Sequence, residues 1–137
     1  MPGDAVPPTE RELEILKVLW DRGEGSVREV FEAMSAGAAP GGAGIVQNTV
    51  QAFLRTMEEK GLVRHRVAGR TFIYQPVRRR AETERRLVSG VLDRVFDGAI
   101  DQLVQSALSL RRPTAAELTK LEELIRQQKA GKSGGGK

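Results

Sequence analysis

Residues 47–76 read QNTVQAFLRTMEEKGLVRHRVAGRTFIYQP. Val46, Val50, Phe53, Leu54 and Met57 recur at helical spacing and give one apolar face. Asn48 is placed to cap the start, and Gly61 follows Lys60 as a helix-ending residue. The opposite face offers Asn48, Gln51, Ala52 and Arg55, which are polar or small. Such a face approaches another surface closely. Asn and Gln suit adenine edges, Arg suits guanine or phosphate, and a small residue suits a thymine methyl. After Gly61 the period changes to two, and Leu62 to Val67 alternate like a half-buried strand. Ala68-Gly69-Arg70 forms a tight turn, and Thr71 to Gln75 return as a second strand before Pro76. Arg64 and Arg66 share one face of this hairpin by alternation, and Arg70 sits at its tip. A helix followed by a basic hairpin is the pattern of a winged helix-turn-helix, with the helix in the major groove and the wing along the backbone. A small α/β domain with a solvated basic face would use the same residues. Charge and motif together favour nucleic acid.

The placement of charge supports that choice. The 137 residues carry a net charge of +4, but residues 1–54 hold four basic and eight acidic side chains. Residues 55–80 hold eight basic and two acidic ones. Clustering of one sign at the end of the helix and in the wing predicts a polyanionic partner better than total charge does. The length suits one domain, or a small domain with an oligomerisation segment. No apolar run is long enough to span a membrane, and Met1 to Pro8 is polar and Pro-rich rather than a signal peptide. There is no cysteine, which excludes disulfides and thiolate metal sites and agrees with a reducing, cytoplasmic location.

Taken in order, residues 1–8 are expected to be a disordered leader. Thr9 with Glu12 forms a capping box that starts a helix, and Leu13, Leu16, Leu19 and Trp20 form its buried stripe, widened by Ile15 and Val18. Gly23 and Gly25 end it. Ser26 with Glu29 repeats the capping box, and Val27, Val30, Phe31 and Met34 give a short second helix. Ala36 to Gly44 is a small-residue linker, either a tolerated surface insertion or a flexible joint for the helix that follows. Arg78-Arg79-Arg80 is a basic connector after the wing, solvated or against phosphate. Val88, Val91, Leu92 and Val95, flanked by Leu87 and Phe96, mark a long helix that Asp97-Gly98 breaks. Ile100, Leu103, Val104, Ala107 and Leu108 mark another, and Thr114 with Glu117 caps a last one carrying Leu118, Leu121, Leu124 and Ile125. The three stripes lack a covering surface in a small domain. They predict either a two-fold dimer or an intramolecular three-helix bundle, and the burial argument favours the dimer. The expected fold class is mainly α with a small β-hairpin wing. A winged helix-turn-helix domain spans 9–77, a helical dimerisation domain 78–129, and a disordered tail 130–137.

Nothing in the chain points to catalysis. There is no phosphate loop, no G-x-S-x-G elbow and no ligand-spaced His, Cys and carboxylate cluster. The single histidine, His65, lies on a strand between two arginines and reads as a wing residue facing solvent or phosphate. No cofactor and no metal are expected.

The runs LEILKVLW, SVREV, NTVQAFLRTMEEKGLV and GRTFIYQP, in that order, resemble the penicillinase-repressor family (BlaI/MecI/CopY type), over roughly Thr9 to Gln128. The resemblance implies a homodimeric winged-helix repressor on a palindromic DNA operator, with a C-terminal helical dimerisation domain. By position it places Thr49 at the start of the recognition helix, Gln51, Ala52 and Arg55 toward the groove, and Gly69 and Arg70 at the wing tip. In antibiotic-responsive members it further implies a regulatory protease, linked to a membrane sensor, that cleaves the repressor. The family's cleavage point, an Asn-Phe pair, falls at Ala99-Ile100, where this chain has neither residue. The copper-responsive branch carries C-terminal cysteine pairs, and this chain has none. The rival functions are a winged-helix module that binds protein without DNA, and an enzyme subunit. Steep loss of affinity with salt separates DNA from a mostly apolar protein partner.

Overall fold

The structure is a computed structural model that describes residues 7–36 and 46–131. The expectations for the leader up to Val6, for the linker from residue 37 onward and for the tail from residue 132 lie outside the described residues. The order of elements is α1 (Glu10–Arg22), β1 (Gly25–Ser26), α2 (Val27–Ala36), α3 (Gln47–Glu59), β2 (Val63–Ala68), β3 (Thr71–Pro76), α4 (Arg80–Arg94), α5 (Ile100–Leu110) and α6 (Ala115–Ala130). This is a mainly helical chain with a small antiparallel wing, as expected. The chain divides into two compact units, residues 1–89 and 90–137. The division falls inside α4. One reason is that the start of α4 is tied back to α1. The Trp20 indole N–H donates to the Arg78 carbonyl at 2.9 Å, the Arg80 guanidinium lies 5.9 Å from the centre of the Trp20 ring, and Thr83 is buried.

In the first unit both ends of α1, the start of α2 and the stop of α3 follow the local chemistry of the sequence. Thr9 and Glu12 form the full capping box of α1, and Gly23 closes that helix with φ +90°. Ser26 accepts from the Glu29 N–H and Glu29 accepts from the Ser26 N–H, so α2 is capped the same way. Helix α3 stops in a Schellman motif. The Leu62 N–H donates to the Met57 carbonyl, the Gly61 N–H donates to that of Glu58, and Gly61 takes φ +81°. Its start differs from expectation. Val46, not Asn48, is the N-cap, with no side-chain cap hydrogen bond, and Asn48 stands inside the first turn. Val46 is accordingly exposed rather than part of the apolar face.

The core joins Ile15, Leu16 and Leu19 of α1, Val30 and Met34 of α2, Val50, Leu54 and Met57 of α3, Val63 of β2 and Tyr74 of β3. The centre of the α1 stripe is therefore Ile15 with Leu16 and Leu19, while Leu13, Val18 and Trp20 pack around it half-buried. Glu12 is also buried, at 2% exposure. A carboxylate is tolerated there because the Lys60 ammonium donates to it at 2.7 Å and the Thr9 N–H at 2.9 Å. Burial works to raise the Glu12 carboxyl, but these donors outweigh it and hold it below its ordinary value.

The sheet has three strands in the order β1-β3-β2, one more than the expected hairpin. Gly25 and Ser26, expected as a helix break and a cap, also pair with Tyr74 and Ile73. In the hairpin Ala68 pairs with Thr71, so the turn is Gly69-Arg70 alone. Gly69 has φ +66°, the residue and sign a type II′ turn requires at its first central position.

In the second unit α4 ends at Arg94, so Val95 lies just past the helix. Asp97 at φ +52° and Gly98 at φ +84° make the expected break. Thr114 and Glu117 form the full capping box of α6. Hydrogen bonds from Arg111 and from the Thr114 N–H hold the Glu117 carboxyl down to about 2. Helix α6 runs through Ala130, the first residue of the expected tail. Among the described residues from Gly90 to Gly131 none is buried.

Candidate nucleic-acid interface

Helix α3 turns Val50, Leu54 and Met57 into the core, and this fixes what it turns outward. Asn48, Thr49, Gln51, Ala52 and Arg55 are all exposed. At 100° per residue Asn48, Gln51, Ala52 and Arg55 form one continuous strip, with Thr49 at its edge. Arg55 makes no ion pair among the described residues. Thr56 and Glu59, which stand outside the expected set, extend the exposed surface toward the C-terminal end of α3.

The wing stands beside this strip. Its two faces differ in chemistry because alternation separates them. One face carries Arg64, Arg66, Ile73 and Gln75, the other Val63, His65, Val67, Phe72 and Tyr74. On the first face the arginines are already engaged. Arg66 donates to Glu24 at 2.8 and 3.3 Å, the Gln75 amide donates to the same carboxylate at 3.0 Å, and Arg64 donates to Gln75 at 3.3 Å. Hydrogen bonds from Arg66 and Gln75 lower the Glu24 carboxyl, and Glu24 in turn raises the Arg66 guanidinium. Arg70, at the turn, makes no ion pair among the described residues. Glu24 and Gln75 thus hold the wing arginines, a role that spacing did not reveal. Glu24 lies in the α1–β1 connection and meets the wing only through the third strand.

On the second face His65 departs from expectation. It does not stand toward solvent or phosphate. Its Nδ1 lies 2.8 and 2.9 Å from the two Glu58 oxygens of α3, and its ring stacks on Phe72 at 4.0 Å. The reason is parity. His65 shares the face of Val63, which is core. Burial first and the Glu58 charge second push the Tyr74 phenol up, while nearby Arg55 acts in the opposite direction. The His65–Glu58 contact holds the root of the wing against α3. The Arg78-Arg79-Arg80 connector is partly spent in helical pairs. Arg78 meets Glu82 at 3.5 Å and Arg80 meets Glu84 at 3.1 Å.

The stripe residues of the helical segment are placed as follows. Val88, Val91, Val95, Val104, Leu118 and Ile125 are exposed, and Leu92, Leu103 and Leu121 are half-buried. An open cleft of about 440 Å³ between α5 and α6 is walled by Ala107, Leu108, Leu110, Pro113 and Leu121. Ala99 is the N-cap of α5 and Ile100 its exposed first residue. Among the described residues no group of three or more His, Cys, Asp or Glu could hold a metal ion. No helix among them is long and apolar enough to cross a membrane.

The family model described as penicillinase repressor matches residues 8–127. The penicillinase repressor of Bacillus licheniformis is 23% identical over 121 residues, covering 88% of this chain and 91% of that protein. The family match runs from the cap of α1 into α6, through the exposed strip of α3 and the wing. The chain therefore belongs to the penicillinase repressor family, a family of transcriptional repressors and not of enzymes.

Proposed function

We propose that the chain is a homodimeric, sequence-specific DNA-binding repressor that occupies a palindromic operator and blocks promoter access. The observation that carries this reading is the strip of Asn48, Gln51, Ala52 and Arg55, exposed on a helix whose other side is locked into the core, beside a basic wing. The N-terminal part of the strip meets base edges, since Glu59 puts a negative charge toward its C-terminal end. Arg70 meets phosphate at the wing tip. Arg64 and Arg66 contribute positive potential while Glu24 and Gln75 hold them. The second copy is supported by the burial deficit of α5 and α6, which bury no residue of their own. Two tethered helices then read two half-sites about one turn of DNA apart. Relief by a protease at Ala99-Ile100 has one support in the geometry, an exposed break ahead of α5, and none in the residue types.

The experiment is selection of bound duplexes from a random pool, followed by titration of the selected site at several salt concentrations. The expected product is a two-fold symmetric sequence, bound with an affinity that falls steeply with salt. Failure to enrich any sequence would favour the protein-binding alternative.

A further inference from the structure

Near the tip of the wing, two large apolar side chains stand opposite each other in the open. Val67 pairs with Phe72, and they are 61% and 46% exposed. They lie on the hairpin face that looks toward α3, not on the face of Arg64 and Arg66. Single exposed apolar residues are ordinary. This pair differs in being held in place. The Phe72 ring is stacked on His65 at 4.0 Å with only 12° between planes and meets Tyr74 edge-on at 6.3 Å. His65 is itself fixed to Glu58 of α3. The ring thus forms the outer end of a chain of contacts that starts in the core. A side chain already immobilised loses little freedom when it docks.

We propose that Val67 and Phe72 contact the deoxyribose faces of the DNA backbone beside the groove that receives α3, and so supply a part of the affinity that salt does not screen. This rests on the DNA-binding reading above. The occupant follows from charge complementarity. Arg70 lies at the turn next to the pair, and Arg55 stands on the neighbouring helix, both without an ion pair among the described residues. Phosphates drawn to these two cations bracket the apolar pair. Between successive phosphates a DNA strand presents a sugar, whose C–H face is the apolar surface available at that position. Sugar contacts position the protein without reading sequence.

The test is binding of a random-sequence duplex, long enough for two half-sites, at several salt concentrations. It compares the wild type with Arg70→Ala, Phe72→Ala and Val67→Ser. Arg70→Ala is the reference and should flatten the salt slope. Phe72→Ala and Val67→Ser should each weaken binding, Phe72→Ala by roughly 5- to 10-fold, with the slope of the wild type retained. Val67 is the more exposed of the two, so an unchanged melting temperature in Val67→Ser controls for folding. If the wild type fails to bind at any salt, the repressor reading fails. If the wild type and Arg70→Ala behave as stated but both apolar variants bind like the wild type, this proposal is overturned and the repressor reading stands. Loss in Phe72→Ala alone overturns it too, because the ring then acts only through its stack on His65. A flattened slope in either variant, or loss of the dimer on sedimentation, likewise overturns it in favour of an electrostatic contact or a second copy.

Discussion

Gln51 and Arg55 sit one helical turn apart on the exposed side of α3, and among the described residues neither side chain makes a hydrogen bond or an ion pair. Replacing Gln51 with Ala should relax base preference at one position of each half-site, by about 1–3 kcal/mol if the amide contact is bidentate. Competition binding against single-base operator variants measures this, and equal loss on operator and random DNA would mark a phosphate contact instead. Glu12 is the opposite kind of residue, buried and fully partnered. Glu12→Gln keeps an oxygen for the Thr9 cap and removes the charge that faces Lys60. It should cost roughly 1–3 kcal/mol at neutral pH, as for a hydrogen bond to a charged group. The sign of the pH effect follows from the direction of the shift. The folded carboxyl lies below its ordinary 4.5, so its contribution is complete above that value and is lost as pH falls through the folded one. Urea titrations of both proteins should converge in acid. A gap that stayed constant with pH would mean that Lys60 contributes nothing through charge.

At the scale of elements, starts and stops are set by a few adjacent residues, and these were legible. Each capping box is a four-residue pattern complete in itself, which is why Thr9, Ser26 and Thr114 could be assigned without tertiary knowledge. Gly61 belongs to the same class. Only a residue that tolerates φ +81° can reverse the chain there and keep the Leu62 and Gly61 N–H groups on their carbonyls. Gly61→Ala should destabilise the first unit by about 1–2 kcal/mol through the left-handed backbone alone, since no atom lies within 4 Å of the added methyl. Thermal denaturation checks it, and an unchanged midpoint would mean the turn relaxes to another conformation. What depends on distant partners was not legible. The strand at Gly25-Ser26 has two residues and no periodicity, and it exists because β3, about 50 residues later, supplies its ladder. The same strand carries Glu24 to the wing, so the anchor of Arg66 was hidden with it. Asn48 had the chemistry of a cap, but its side chain belongs to the exposed strip, and the N-cap lies two residues earlier, at Val46. The start of α4 looked like a linker because Trp20, whose indole holds it, is remote in sequence.

For the whole molecule the contrast between the two units is the main physical fact. The first has a core of ten buried apolar residues, while the second buries none among its described residues. Helix pairs with exposed aliphatic stripes are marginal alone in water, because most helical stability comes from burying an amphipathic face. Leu121 lies in the wall of the α5–α6 cleft and is half-buried within its own unit. In a dimer that closes over this cleft it becomes fully enclosed. Leu121→Glu then places an unpaired charge in the interface, at a cost of several kcal/mol, whereas in a lone chain the carboxylate reaches water. The first unit holds its core without Leu121 and should keep its fold, with Trp20 fluorescence as the reporter. Operator affinity should nevertheless collapse. A single α3 and wing read one half-site, and the second is gained only through the effective concentration that tethering provides. Sedimentation of Leu121→Glu beside an operator titration decides the matter. A variant that stays dimeric and binds like the wild type would show that these stripes are covered elsewhere, and the second half-site would need another explanation.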